Sequence, residues 1–209
     1  MRIEQYSQTL DKGGLRREVL CRRDSISREL RRQKNEKIKE LLLELDEFRN
    51  AHTVLFYASF RSEVDTFAAM SYSLSRQKSI AVPKVDRATR SLKLYEIMSL
   101  NELSPGYFGI PEPPSSDRME RKVHNVDLII VPGVAFDLRC NRLGYGQGFY
   151  DKLLSGVRHR SINCEAQVFW SPLIALSYEA QIVTSIPAEA HDIRMDKIIT
   201  EKGIKDCHE

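Results

Sequence analysis

The chain has 209 residues, 42% of them hydrophobic and 29% charged, the balance of an ordinary water-soluble globule able to bury one good core. A formal net charge of +3 is too small to argue for nucleic acid. The scattered Cys21, Cys140, Cys164 and Cys207 include no C-x-x-C pair, which argues against a zinc site and a disulfide framework and fits a reducing cytoplasm.

The N-terminal Met1-Arg2-Ile3-Glu4-Gln5 carries no apolar leader region and no run approaches a membrane span, so a cytoplasmic protein with no membrane attachment is expected. One domain spanning 1–209 is predicted, with N-terminal helices over about 12–50 and an α/β core over about 51–200. In the helical part, Leu15, Val19 and Leu20 supply one apolar face. After a break near Asp24-Ser25, Ile26, Leu30, Ile38, Leu41, Leu42 and Leu45 supply another, and Ser25 or Ser27 can cap the second helix. The basic residues between Arg16 and Lys34 read mainly as a solvated face, with one or two near Gly13-Gly14 able to turn into an anion site.

His52-Thr53-Val54-Leu55-Phe56-Tyr57 reads as a buried strand. The next turn holds Ser62 and Asp65 at capping-box spacing, before a helix to about Arg76. Ile80-Ala81-Val82-Pro83 reads as a short strand that Pro83 ends or marks as an edge, and the alternation of Leu92 to Ile97 predicts a half-exposed strand. The proline-stiffened stretch from Pro105 to Pro114 is a surface connector or a binding wall. Val126 to Val131 is a second buried strand; further strands are expected at 161–166, 182–183 and 197–200. Strands alternating with helices after a helical hairpin predict an open, mostly parallel α/β sheet with mixed edges, flanked by helices.

The most informative stretch is Arg142-Leu143-Gly144-Tyr145-Gly146-Gln147-Gly148-Phe149-Tyr150-Asp151-Lys152. Its alternating glycines allow tight bending and close approach of a ligand, and Phe149-Tyr150-Asp151 reads as a helix opening. Free backbone N–H groups and a helix dipole at such a junction favour an anion, with Arg142 and Lys152 adding positive charge. The pattern is neither the dinucleotide fingerprint nor the P-loop, so it suggests phosphate without naming the ligand. Tyr145, Phe149 and Tyr150 either stack a planar ring or pack the helix onto the sheet. Glu63 is either a hydrogen-bond acceptor for a substrate or a solvated first-turn acid; Asp151 with Asp192 could form a hard-cation pair. No serine sits in a nucleophile elbow, and no histidine pairs with one in sequence.

Taken in order, the motifs resemble those of the 5-formyltetrahydrofolate cyclo-ligase family, also called methenyltetrahydrofolate synthetase. Lys12-Gly13-Gly14-Leu15-Arg16 is similar to the family's K-x-x-L-R, and Glu63-Val64-Asp65-Thr66 to its E-[IV]-x-T. The block from Asp127 to Asp137 with Arg142 to Asp151 resembles its most specific signature, and Ile186 to Asp192 with Asp196 and Thr200 its C-terminal pattern.

The resemblance implies an ATP- and Mg²⁺-dependent conversion of 5-formyltetrahydrofolate to 5,10-methenyltetrahydrofolate, with release of ADP and phosphate. It assigns ATP to Lys12, Gly13, Gly14, Leu15, Arg16 and the run Arg142, Leu143, Gly144, Tyr145, Gly146, Gln147, Gly148, Phe149 and Tyr150. It assigns the reduced folate to Ala58, Glu63, Tyr145, Gly146, Gln147, Gly148 and Phe149, magnesium to Asp151 and Asp192, and catalysis to Arg142 and Tyr150. Gln147 departs from the Lys or Gly of many members, removing a charge that Arg142, Lys12 or Lys152 would have to replace. A monomer is expected, and nucleic acid is not an expected partner. The alternatives are a non-catalytic relative that binds nucleotide or RNA through the basic helices, and a phosphoryl-transfer enzyme with another small substrate.

Overall fold

The computed structural model describes residues 11–158, 171–187, 189 and 192–207. The strand expected at 161–166 lies outside them, as do Cys164, Trp170 and His191. Helix α1 (Lys12–Asp24) starts where the Asp11 carboxylate accepts from the Gly14 N–H at 2.6 Å. Its buried face, Leu15, Val19 and Arg23, recurs every four residues. Helix α2 (Arg28–Glu44) is capped by Ser27, whose hydroxyl accepts from the Leu30 N–H at 3.3 Å. It buries Ile38 and Leu42, whereas Leu30, expected on the apolar face, is 46% exposed. A short α3 (Asp46–Asn50) leads into strand β1 (Thr53–Leu55).

Ser62 and Asp65 form no capping box. Helix α4 (Phe67–Ser75) begins later, with the Asp65 carboxylate accepting from the Phe67 N–H at 3.0 Å. The Ser62 hydroxyl is taken up by Arg23 and Asp24. A tertiary contact outcompetes a local cap here. Strand β2 (Ser79–Asp86) continues through Pro83 and pairs antiparallel with β3 (Ser91–Ile97). It tolerates the proline because its pairing with β1 ends at Ala81, leaving one edge free of ladder bonds. Short strands β4 (Ser104–Pro105), β5 (Pro111–Glu112) and β6 (Glu120–Arg121) punctuate the proline-rich stretch.

Strand β7 (Leu128–Val131) is followed by β8 (Ala135–Asp137) and β9 (Arg142–Leu143), then by α5 (Phe149–Arg158). Later come β10 (Leu173–Leu176), β11 (Ile182–Val183), β12 (Lys197–Thr200) and β13 (Gly203–Asp206). Among the described residues the main sheet runs β13-β12-β10-β7-β1-β2-β3-β6, parallel from β12 to β2 and antiparallel at both edges. This is the mixed-edge sheet expected from the sequence. Strand β10, absent from the sequence reading, is one of its central members.

Alternation builds the core on both faces of the sheet. Val54, Leu128, Ile130, Ile174 and Leu176 face one cluster with Ile38, Leu42 and Met70. Leu55, Ile129, Val131, Leu173 and Ala175 face the other with Leu154. Burial on both sides explains why these strands read as unbroken apolar runs. A separate sheet, β11-β8-β9, packs against α1 through Leu15, Val19, Ala135, Leu143 and Ile186. The glycine run therefore leaves this small sheet and not β7.

Candidate active site

Strands β1 and β7 lie side by side, with the chain continuing to β2 on one side and to β10 on the other. Such a switch in strand order opens a crevice at the carboxyl ends of the strands. A cavity of about 500 Å³ lies there, with Tyr57 to Glu63 after β1, Pro132 after β7 and the run from Gly144 to Asp151 among its walls. Tyr107, Phe108 and Pro111 from the proline-rich stretch also line it, so that stretch is a wall of the cavity.

The arginine of the glycine run is placed by its own turn. Asp137, fully buried, accepts from the N–H groups of Arg139 at 2.9 Å, Asn141 at 3.0 Å and Ile186 at 2.9 Å. This locks the β8–β9 turn and delivers Arg142 to the cavity. Arg142 is 8% exposed, donates to the Pro132 carbonyl at 3.3 Å and pairs with Asp151. Burial pulls its pKa down, opposed mainly by Asp151 and also by Asp192, but an arginine remains charged. Among the described residues, neither its Nε nor the Tyr150 hydroxyl, both buried, has a hydrogen-bond partner. Burial holds the Tyr150 pKa well above its usual value, so this phenol keeps its proton.

Gly146 and Gly148 adopt φ of +90° and +70°, a region that side chains strongly disfavour, and this bends the run around the cavity. Arg16 braces it from α1 by donating Nε to the Gly144 carbonyl at 2.7 Å. Lys12 pairs with Glu189 at 2.8 Å and Asp192 at 3.1 Å; chiefly Glu189 holds its pKa up. The Gly14 N–H is occupied by Asp11, and Leu15 and Leu143 turn into the core. Gly13 lies beside Asp11 and Arg17 at the start of α1. Lys152 donates to the Thr89 carbonyl at 3.1 Å, while Gln147 stands exposed at the mouth of the cavity.

At the other end, Glu63 is half-buried, accepting from Tyr145 at 2.6 Å and from the Phe60 N–H at 2.9 Å. It is not a solvated first-turn acid, because it sits in the loop before α4. Burial raises its pKa, opposed by these bonds and by Arg23. Tyr57, its hydroxyl donated to the Val64 carbonyl at 3.0 Å, forms the floor beside Ala58. Arg23, Tyr57 and Tyr107 were not singled out from sequence as lining residues. For Arg23 the signal was available, since it shares the helical face of Leu15 and Val19.

Asp151 and Asp192 both act electrostatically on Arg142, although only Asp151 lines the cavity. No group of three or more His, Cys, Asp or Glu gathers as a metal cage among the described residues. The chemistry of the two carboxylates fits magnesium, a hard cation that needs few protein ligands because it retains water. Against expectation, Cys140 and Cys207 form a disulfide with Cα atoms 6.0 Å apart; Cys21 is free. Their separation of 67 residues hid the pair from any local motif. No helix among the described residues is long and apolar enough to cross a membrane.

Fold and cavity together define an α/β enzyme of small-molecule chemistry, with its site over the carboxyl ends of the strands. Residues 8–201 match the model of the 5-formyltetrahydrofolate cyclo-ligase family, and the chain belongs to that family of ligases. It is 31% identical over 191 residues to the mitochondrial 5-formyltetrahydrofolate cyclo-ligase of Arabidopsis thaliana, covering 84% of this chain and 68% of that protein. The Mus musculus cyclo-ligase is 26% identical over 196 residues, covering 91% of this chain and 93% of its own. The NMR structure of Aquifex aeolicus 5,10-methenyltetrahydrofolate synthetase matches with a TM-score of 0.80 and 34% identity, covering 95% of this chain and 93% of that one.

Proposed function

We propose that this protein uses ATP and Mg²⁺ to convert 5-formyltetrahydrofolate to 5,10-methenyltetrahydrofolate, releasing ADP and phosphate. The observation that carries the reading is the pair of buried, unpartnered donors, Arg142 Nε and Tyr150 hydroxyl, at the base of the glycine run. A buried donor without an acceptor is costly, and a phosphoryl or formyl oxygen in the cavity would satisfy both. The formyl oxygen attacks the γ-phosphorus, the bond to the bridging oxygen breaks, and ADP leaves with that electron pair. N10 then attacks the activated formyl carbon and loses its proton, and the carbon–oxygen bond breaks to release phosphate.

The chain needs no nucleophile of its own for this chemistry. Its residues align the reactants and balance charge, which supply most of the catalysis in phosphoryl transfer. Arg142 faces the transferred group and Tyr150 donates its retained proton as a hydrogen bond. Glu63, at the apolar end among Tyr57 and Phe60, accepts from N–H groups of the pterin ring. Bound magnesium would neutralise phosphate charge, and Asp151 and Asp192 are the carboxylates suited to hold it. With Lys152 engaged at Thr89 and Lys12 at Asp192, Arg142 and Arg16 take over the charge missing at Gln147.

The proposed setting is the cytoplasm, and thiol titration of protein isolated without reductant tests whether the Cys140–Cys207 bond persists there. The activity itself is tested by mixing purified protein with 5-formyltetrahydrofolate, ATP and Mg²⁺. Near-ultraviolet absorbance of the methenyl product should rise with stoichiometric phosphate release. Folded protein that gives neither at micromolar concentration would overturn the proposal.

A further inference from the structure

A chain of polar groups ties α1 to the substrate end of the cavity. Arg23, 3% exposed in the last turn of α1, donates Nε to the Ser62 hydroxyl at 2.9 Å and Nη1 to the Tyr145 hydroxyl at 2.9 Å. The Tyr145 hydroxyl in turn donates to Glu63 Oε1 at 2.6 Å. The Ser62 hydroxyl donates to the Asp24 carboxylate, so Arg23 is the fixed donor for both hydroxyls. Three separate segments meet here: the end of α1, the loop after β1 and the glycine run.

The order of donors in this chain is forced by chemistry. A guanidinium can only donate, an ionised carboxylate can only accept, and a phenol has one proton to give. With Arg23 filling an acceptor position on the Tyr145 oxygen, the Tyr145 proton points at Glu63. A protonated Glu63 breaks this order, because its own proton would then compete for the same phenol oxygen. Removing Arg23 frees the phenol to rotate or to accept from a neutral Glu63. Arg23 therefore biases Glu63 towards the carboxylate through a bonded neighbour as well as through its charge.

We propose that Arg23 is a positioning residue that acts through Tyr145 to hold Glu63 as an ionised, correctly aimed acceptor for the substrate. The inference rests on the reading of Glu63 as the group that accepts from the pterin ring. The groups facing Glu63 support it. Arg23 comes from α1, Tyr57 from just after β1, Tyr145 from the glycine run and Tyr150 from α5, while Asp24 of α1 meets Ser62. Of these, Arg23 is the cation, while burial works against the Glu63 charge. Arg142, elsewhere in the cavity, is engaged with Asp151.

The test measures binding of 5-formyltetrahydrofolate and of ATP separately, across about pH 5 to 9, for wild type, Arg23→Met, Arg23→Lys, Tyr145→Phe and Glu63→Gln. Thermal melts confirm that each variant is folded. Arg23→Met should shift the acidic limb up by about one unit, so that folate binding weakens by up to about tenfold at the acid end of the range and little near its alkaline end. Tyr145→Phe should move the limb in the same direction, Arg23→Lys should restore most of it, and ATP binding by the Arg23 variants should change less than about twofold. An unshifted limb in Arg23→Met, or equal loss of folate and ATP binding at every pH, overturns the proposal and leaves Glu63 in place. Wild-type folate binding by Glu63→Gln would instead sink the Glu63 reading on which it rests.

Discussion

Replacing Arg142 by Met separates the catalytic contribution proposed for this residue from its structural one. The structural side is small. Met fills similar volume; of the two lost partners, Asp151 has a side chain 38% exposed that water can solvate, and the bond to the Pro132 carbonyl is a long one at 3.3 Å. An ion pair with one such exposed member is worth at most about 1 kcal/mol. Removing the buried guanidinium also relieves its desolvation, so the melting temperature should move by no more than about 4 °C. The chemical side is large. Losing a preorganised donor aimed at developing charge costs about 10²–10³ in kcat, roughly 3–4 kcal/mol. Initial rates from the methenyl absorbance, at saturating and limiting ATP, with a melt on the same sample, make the comparison. A folded variant retaining kcat within about tenfold of wild type would show that Arg142 is only a brace for Asp151.

Three further outcomes are expected. Gly148→Val forces a β-branched residue into φ near +70°, which should cost about 1–3 kcal/mol and weaken ATP binding; an unchanged melt and ATP affinity would mean that the run does not need this bend. Replacing Cys140 and Cys207 by Ser opens a link across 67 residues, expected to cost about 2–4 kcal/mol, and a dithiol reductant should lower the wild-type melt similarly without affecting the double variant. Glu63→Gln should melt higher than wild type near neutral pH while binding folate more weakly. The sign follows from a folded-state pKa raised above the ordinary 4.5: the stability linked to protonation is present below that value and is lost as pH rises through the folded pKa. A stability advantage of the Glu63→Gln variant that does not grow as pH rises from about 4.5 would refute this assignment of Glu63.

How much could be read in advance differs by feature. The sequence by itself determined the class of fold, because residues such as Leu55 and Ile129 carry their burial pattern in their immediate neighbours. It also narrowed the cap of α2 to Ser25 or Ser27, of which the structure uses Ser27, and marked the glycine run, whose requirement for positive φ is a property of the local backbone. Strand β10 escaped notice because Leu-Ile-Ala-Leu is short and composed largely of good helix formers, and only its parallel partners β7 and β12 make it a strand. Ser62 looked like a cap until Arg23 and Asp24 reached it from another segment. Pro83 read as either a strand end or an edge, and the structure decides for an edge there, with β3 paired on one side and the β1 ladder ended at Ala81 on the other.

In the site, Arg142, Glu63 and the glycines were legible as candidates, and the fold brings them to the walls of one cavity. What only the tertiary structure decided is which groups meet. Arg23, one of several arginines along α1, became the one that binds Tyr145 because the packing of Leu15 and Val19 against the small sheet turns that face inward. The disulfide arose in the same way, from two cysteines far apart in sequence that β13 brings beside the β8–β9 turn. Backbone conformation and burial period are local and survive in the sequence, whereas pairings across the fold depend on how whole surfaces pack.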